Sequence, residues 1–330
     1  MRIAVDVMGG DKAPDEIIKG TLLAGKKYPD IEFILVGYEE VLSHYQLPDK
    51  FSCHYCTQMM AMDESVESLR QKRDSSIWVA TELVKKGEAD AVVSAGSTAA
   101  QMASALLLLG RIKGIARPAI GVMLPTKAGM RLILDSGANA DVDAAQLYQF
   151  AAMGVIYMEN VYHVSNPRVA LLSNGTEEHK GNGLVLAAHQ LLKEGNFNFI
   201  GNLEGRDVPF GEYDVLVCDG FTGNVVLKMA EGMSKMIFAL MKEALNSNIR
   251  SKIGTALILP AIKRMKDRMD YREHGGAPLL GVKGLSIVCH GSSDAKAICS
   301  AIDRAKECYD NDFVGKLSSL VISEAKSETN

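Results

Sequence analysis

The sequence predicts an α/β protein of three layers, α/β/α, built on a mostly parallel sheet. Three observations predict it. Short runs rich in Val, Ile and Leu recur along the whole chain. Most are continuous rather than alternating, as strands covered on both faces are. Segments of helical periodicity lie between most of them, and strand alternating with helix is the pattern of a largely parallel sheet.

The elements follow in order. "RIAVDVM" at residues 2–8 is a first strand. Its apolar run is broken by Asp6 and ends in glycines, which excludes a signal peptide. "PDEIIKGTLLAGKKY" is a helix, "EFILVG" a strand, "SIWVATELVKKG" a helix. "ADAVVSAG" is a strand that hands over to an apolar helix from Met102 to Leu109. "AIGVMLP" and "MRLILDSG" are strands, followed by the helix "DAAQLYQFAAMGVIYME". Strand "RVALLSNG", helix "GNGLVLAAHQLLKEG" and strands "NFIGNLEG" and "YDVLVCDG" come next. "LSIVCHG" and the helix "DAKAICSAIDRAKECY" close the fold, and the tail "EAKSETN" is expected to fray.

One segment breaks the rhythm. From Val225 to Tyr271 helical pattern runs without a strand. An apolar patch (Ile253, Leu257, Ile258, Leu259, Ile262), interrupted by Pro260, is flanked by Arg250, Lys252, Lys263, Arg264, Lys266 and Arg268. It is expected to project as a helix–turn–helix hairpin. The chain therefore reads as one catalytic domain, 1–330, with a helical excursion at about 225–272.

Composition excludes several classes. With 47% hydrophobic and 23% charged residues in 330, the chain is an ordinary soluble globule with room for a large core. A net charge of −4 argues against nucleic acid as a partner. No run reaches the roughly 18 apolar residues of a membrane span. The six cysteines include one pair, Cys53 and Cys56 in "CHYC", but no second pair stands at zinc spacing. A reduced, cytoplasmic chain without metal or cofactor is the expectation.

The chemistry collects where strands end. "VSAGST", "LDSGANAD", "LSNGTEEHKGN", "NLEGRD", "CDGFTGN" and "CHGSSD" each follow an apolar run with Gly plus Asp, Asn, Ser or Thr. Ligands of open α/β sheets sit outside the carboxyl ends of the strands. These ends, with Asp6, Gly9, Gly10 and Asp11 of "DVMGGDKAP", are expected to converge on one cleft. In "SAGSTAA" small residues meet the first turn of a helix, whose N–H groups are unpaired and carry partial positive charge. Gly96 permits close approach, and Ser94, Ser97 and Thr98 add hydroxyl donors. The tenant is a phosphate or similar anion, or else the loop only caps its helix. "NGTEEHKGN" is the densest cluster: Asn174, Glu177, Glu178, His179, Lys180 and Asn182. Lys180 neutralises an anion and His179 titrates near neutral pH, whereas Glu177 and Glu178 read equally as a charged cap. Asp135, Asn139 and Asp141 lack a third metal ligand, so capping and loop hydrogen bonds are their expected work. Glu204 and Arg206 read as structural or anion-binding. Asp219, Thr222 and Asn224 complete the set. "GGAPLLG" reads as a site of close backbone approach. No GxGxxG after a strand, GxxxxGK[ST], GxSxG or HExxH occurs.

"MRIAVDVMGGDKAP", "SAGSTAA", "LDSGANAD", "GTEEHKGN", "NLEGRD", "DVLVCDGFTGNVVLK" and "GGAPLLGVKG" resemble, in order and spacing, the bacterial acyl-acyl carrier protein:phosphate acyltransferases, over essentially the whole chain. Ser97 and Ala99 stand where that family commonly has Asn and Gly, and serine keeps a donor. The resemblance implies a fold similar to the isopropylmalate dehydrogenase and phosphotransacetylase group. It implies transfer of a long fatty acyl group from acyl carrier protein to inorganic phosphate, giving acyl phosphate for phospholipid synthesis. It also implies a homodimer and a downstream membrane glycerol-phosphate acyltransferase as a further contact. In that light Ser94 to Thr98 and Lys180 would hold phosphate, Asn182 and Asn224 would donate amide hydrogens, and His179 would protonate the leaving thiolate. The hairpin residues Ile253, Leu257, Ile258, Leu259, Lys263 and Arg264 would meet the inner face of the cell membrane or the carrier protein, or else a second subunit. The alternatives are a phosphotransacetylase-like enzyme using short acyl-coenzyme A, a dehydrogenase of similar fold, and a non-catalytic membrane-associated scaffold for lipid enzymes. The dehydrogenase would need an aspartate metal set and an arginine cluster that the sequence lacks.

Overall fold

The computed structural model describes residues 1–269 and 275–319. The tail expected to fray and the end of the helical excursion near residue 272 lie outside the described residues. The strands are β1 (Arg2–Asp6), β2 (Glu32–Gly37), β3 (Phe51–Tyr55), β4 (Ala91–Ser94), β5 (Ala119–Ile120), β6 (Val122–Thr126), β7 (Gly129–Leu134), β8 (Arg168–Ser173), β9 (Asn198–Glu204), β10 (Val215–Val217), β11 (Ala277–Leu280) and β12 (Leu285–Val288). The α-helices are α1 (Asp15–Lys27), α2 (Glu39–Leu42), α3 (Ser76–Lys85), α4 (Thr98–Leu108), α5 (Ala144–Asn160), α6 (Gly183–Glu194), α7 (Gly220–Asn246), α8 (Ile249–Met269) and α9 (Ala295–Asp310). Every strand and helix read from the sequence is present.

The strands divide between two sheets, in the orders β3-β2-β1-β4-β12-β11-β5 and β6-β7-β10-β8-β9. Most ladders are parallel; β11 runs antiparallel to both its neighbours, and β6 antiparallel to β7. β3 and β11 are additional to the expected strands. "FSCHY" carries too few apolar residues to announce itself. "APLL" sits inside the glycine turn already noted for close approach: a Cβ on Gly275 would lie 2.7 Å from the Ala297 carbonyl oxygen.

Period-2 alternation distributes each strand to two faces. Ile3 and Val5 of β1 enter the main core, whereas Ala4 enters a second cluster under α3 and α4. The main core is continuous across both sheets, running from Ile3 and Leu35 to Leu132, Val169 and Val217. The first sheet thus has α1 and α9 on one face and α3 and α4 on the other. The second is covered by α5 and α6 and, opposite, by the base of α7. In each sheet the strand order reverses: between β1 and β4, and where β10 inserts between β7 and β8. Loops diverge at such points and leave crevices.

α7 and α8 form the expected hairpin. Its turn is Ser247–Asn248, and Asn248 caps α8 by accepting from the Ser251 N–H at 2.9 Å. No residue from 224 to 265 is buried. α8 runs on through Pro260, where the missing N–H costs one helical hydrogen bond.

The start of α7 is wedged against the turn after β7. A Cβ at Gly223 would stand 1.9 Å from the Asp135 carbonyl oxygen, whereas one at Gly232, on the exposed part of the same helix, meets nothing. Gly223→Ala is therefore expected to lower stability by about 1–3 kcal/mol, and Gly232→Ala to raise it by up to about 1 kcal/mol. Urea unfolding of the two variants checks this.

Candidate active site

Two recesses lie at the carboxyl ends of the strands. The larger, of about 870 Å³, separates the two sheets and is lined by the loops after β1 and β12, the first turn of α4 and one face of α7. The smaller, about 350 Å³, lies within the second sheet where the loops after β8 and β10 part. The single cleft expected from the strand ends is thus two. The first turn of α7 joins them: Thr222 lines the smaller recess and Asn224 the larger.

Beside Asp11 and Thr98, which line the large cleft, small residues pack closely; Asp6, Gly9, Gly10, Ser94, Gly96 and Ser97 do not themselves line it. Asp6 is buried and accepts from Ser94 Oγ at 2.6 Å, and Ser94 Oγ in turn accepts from the Gly96 N–H at 3.0 Å. Burial pushes the Asp6 carboxyl up, against the pull of its hydrogen bonds. A Cβ on Gly9 would lie 2.6 Å from Asp6 Oδ2 and 2.7 Å from the Gly96 nitrogen, so only glycine lets the two loops cross. Gly10, at φ +109°, turns the chain so that the Asp11 N–H reaches the Gly291 carbonyl at 2.8 Å. Ser94 is thereby occupied by the scaffold. Ser97 caps α4 through Ala100 N–H, and Thr98 lines the cleft.

The turn after β7 is structural. Asp135 accepts from the N–H groups of Ile120 (3.0 Å), Ala138 (3.1 Å) and Asn139 (2.7 Å) and from Asn139 Nδ2 (2.9 Å). Asn139 also holds the Pro118 carbonyl at 2.7 Å. Capping and loop bonding were the work expected of both. Asp219 caps α7, accepting from Thr222 N–H at 2.8 Å and Thr222 Oγ1 at 2.7 Å.

In the smaller recess Asn182 caps α6, accepting from Val185 N–H at 2.9 Å, and Asn174 stands on the rim. Lys180 and His179 are exposed on the loop closing this recess, and neither belongs to the lining of either recess. The Lys180 stem lies against Gly175, whose added Cβ would be 2.7 Å from Lys180 Cγ. Glu178 pairs with Lys193 at 2.8 Å on the surface, an ion pair rather than the cap read for it; Asn182 caps the helix. Arg206 pairs with Glu204 on the surface, outside both recesses. The hairpin residues Ile253, Leu257, Ile258, Leu259, Lys263 and Arg264 are all exposed, Leu257 the most of the apolar four at 79%.

Ser136, Lys228 and His290 are among the cleft residues that the sequence alone did not single out. Lys228 stands four residues after Asn224, one helical turn on, and that spacing is the signal that places both on one face. Its ammonium lies 2.7 Å from His290 Nε2 and 3.1 Å from Glu231. Nδ1 of His290 lies 2.8 Å from Ser292 Oγ. The Ser292 N–H donates to Nδ1 at 3.1 Å, so Nδ1 is an acceptor. Desolvation, and then the Lys228 charge, hold the His290 imidazole below its ordinary value of 6.5.

Among the described residues no group of three or more His, Cys, Asp or Glu is placed to hold a metal ion. Nor is any helix long and apolar enough to cross a membrane. The "CHYC" pair splits between half-buried Cys53 on β3 and buried Cys56, both free. Burial pushes the Cys56 thiol up to about 12.

Residues 1–316 match the family described as fatty acid synthesis protein. A phosphate acyltransferase of Desulfitobacterium hafniense (strain DSM 10664 / DCB-2) is 52% identical over 323 residues, 96% of each chain. The chain belongs to this phosphate acyltransferase family. A second member, from Thermoanaerobacter pseudethanolicus, is 50% identical over 325 residues, 98% of each chain. The protein is accordingly an enzyme of acyl transfer. Its fold is shared with a phosphotransacetylase of Streptococcus pyogenes (TM-score 0.63, 17% identity, 94% of both chains). A branched-chain phosphotransacylase of Enterococcus faecalis shares it too (TM-score 0.54, 15% identity, 92% of this chain and 98% of that one).

The lowered His290 value carries a sign. The groups facing it are Lys228, Glu231, Asp11 and Lys235. Because the folded value lies below 6.5, the unfolded chain takes up the proton first as pH falls. The stability tied to neutral His290 is present in full above about pH 6.5 and is lost as pH falls through the lowered folded value. Thermal melts from pH 8 to 5 are expected to show this loss, and His290→Gln to remove that part of it.

Proposed function

We propose that the enzyme moves a long-chain fatty acyl group from acyl carrier protein to inorganic phosphate, releasing acyl phosphate and the free carrier thiol. The amphiphilic large cleft carries this reading. Polar Thr98, Ser136, Asn224 and Lys228 line it together with apolar Met123, Leu124, Leu227 and Phe238. A substrate with a charged nucleophile and a long hydrocarbon chain needs both. The names of the relatives, phosphate acyltransferases, support the same nucleophile.

The chemistry asks for no protein nucleophile. The thioester carbonyl is already activated, and phosphate dianion is nucleophilic at neutral pH. The enzyme has to dock phosphate, align it and stabilise the oxyanion. Alignment supplies about 7–11 kcal/mol, and one oxyanion donor about 3–4 kcal/mol. In this reading phosphate sits at the first turn of α7, between the two recesses. Thr98 and Asn224 reach it from the cleft, and Asn182 and Lys180 from the loop after β8. Partial positive charge at the start of a 27-residue helix favours an anion there.

The hairpin fits a peripheral membrane contact. Ile249, Ile253, Leu257 and Leu259 are exposed beside Arg250, Lys252, Lys263 and Arg264. Such a basic amphipathic segment lies on an anionic bilayer, and its cations suit an acidic carrier protein as well. Phe221, Val225, Met229, Met233, Met236 and Leu240 form an exposed stripe on α7 at three- and four-residue spacing, which suits a homodimer.

Three outcomes test the reading. Palmitoyl-acyl carrier protein and phosphate together are expected to yield palmitoyl phosphate by mass spectrometry, with none formed when phosphate is omitted. A product from acetyl-coenzyme A alone would favour the short-chain alternative. Lys180→Ala is expected to lose about 100-fold or more in turnover while its melting curve is kept; full activity would take Lys180 out of the site. Leu257→Glu is expected to abolish co-flotation with anionic vesicles at unchanged solution activity, and flotation equal to that of the unsubstituted protein would end the membrane role.

A further inference from the structure

Two buried polar side chains anchor the loop after β8. His189 lies on α6 and Asn202 on β9. Nδ1 of His189 stands 2.9 Å from Asn202 Oδ1. Asn202 Nδ2 donates to the Glu177 carbonyl at 3.0 Å. A carbonyl only accepts, so the amide has one orientation, with its nitrogen toward Glu177 and its oxygen toward His189. His189 therefore carries a proton on Nδ1 and donates it to Asn202. The same Glu177 carbonyl accepts from the Lys180 N–H at 3.0 Å, which closes a turn with Glu178 and His179 at its centre. A chain of hydrogen bonds thus runs from α6 through β9 to the backbone of Lys180.

A bulge in β9 makes this chain possible. Val169 and Leu171 of β8, two residues apart, pair with Phe199 and Asn202, three apart. The extra residue shifts the phase of the strand, so Phe199 and Asn202 share one face instead of opposite faces. Both meet His189, whose ring stands edge-on to Phe199 at 5.1 Å. Gly201 carries the bulge at φ +96°; a Cβ there would meet nothing, so backbone freedom alone calls for glycine. Without the bulge the Asn202 amide would point away from α6. Burying an amide and an imidazole is costly unless they are paired, and here the pairing is spent on a loop carbonyl. The Glu178–Lys193 pair on the same turn is exposed and holds it only weakly.

We propose that Asn202, aimed by His189, is a positioning residue that fixes the turn from Glu177 to Lys180 and so places Lys180 against phosphate. This rests on the acyl-transfer reading above, in which Lys180 holds phosphate. Neither Asn202 nor His189 touches substrate. They fix the backbone from which the Lys180 side chain starts, and a small displacement there is carried to the ammonium at the end of a flexible stem.

A double-mutant cycle in phosphate kinetics tests this, with palmitoyl-acyl carrier protein as donor. Asn202→Ala is expected to lower kcat/KM for inorganic phosphate about ten- to 100-fold and to leave KM for the donor unchanged. In the Lys180→Ala background the same substitution is expected to cost less than about twofold more, because the group it positions is gone. Asn202→Asp keeps the acceptor for His189 but loses the donor to Glu177, and is expected to match Asn202→Ala. His189→Asn, which keeps an N–H near the Nδ1 position, is expected to restore most of what His189→Leu loses. Thermal melts establish that each variant is folded; where Asn202→Ala melts below the assay temperature, the two His189 variants carry the same cycle. An equal loss in both backgrounds, or unchanged phosphate kinetics in a folded Asn202→Ala, overturns the positioning role while leaving Lys180 in the site. Full activity of Lys180→Ala overturns instead the reading of Lys180 on which it rests.

Discussion

The turn after β7 is the constraint on which the rest of the molecule depends. Asp135 gathers four hydrogen bonds, from Ile120, Ala138 and Asn139, and Asn139 passes the connection on to Gly220 through its carbonyl at 2.7 Å. Gly220 and Gly223 have no side chain, and α7 therefore enters against this turn at a distance no other residue permits. The direction of α7 follows from that entry. So does the wall of the large cleft, the first turn that joins the two recesses, and the hairpin beyond. A buried carboxylate is costly to leave unpaired; here three of its partners are backbone N–H groups and the fourth is the Asn139 side-chain amide.

The packing beside Thr98 repeats this logic in the first sheet. Asp6, Ser94 and the glycines spend their hydrogen bonds on one another, which stiffens the loops after β1 and β4. The side chains that line the cleft stand one step outward: Thr98, Ser136, Asn224, Lys228 and His290. Groups held by a rigid inner layer lose little freedom when a transition state forms, which is the physical content of preorganisation.

Much of this was legible in the sequence. Continuous apolar runs announced the covered parallel strands, and glycine with Asp, Asn or Ser at their ends announced turns, some of which line the two recesses. Asp135 and Asn139 were rightly read as loop builders. Legibility failed where residues far apart in sequence had to be compared. Nothing local distinguishes Ser94, consumed by Asp6 from 88 positions away, from Thr98, which faces the cleft. Nothing local brings His290 to Lys228, 62 positions earlier. The division into two sheets was hidden for the same reason, since strand order is a matter of pairing and not of pattern. β3 and β11 were missed because one is half polar and the other lies within a glycine-rich turn.

α7 is a single unbroken helix of 27 residues, about 40 Å from end to end. One rigid rod therefore carries the cleft wall at its base and the tip of the hairpin at its far end. If the tip rests on a surface, the height of the cleft above that surface is set by helix length alone, and the tilt of the whole body by the entry angle at Gly220. A labile product made in the cleft would then face a journey of fixed length, measured out by that one element.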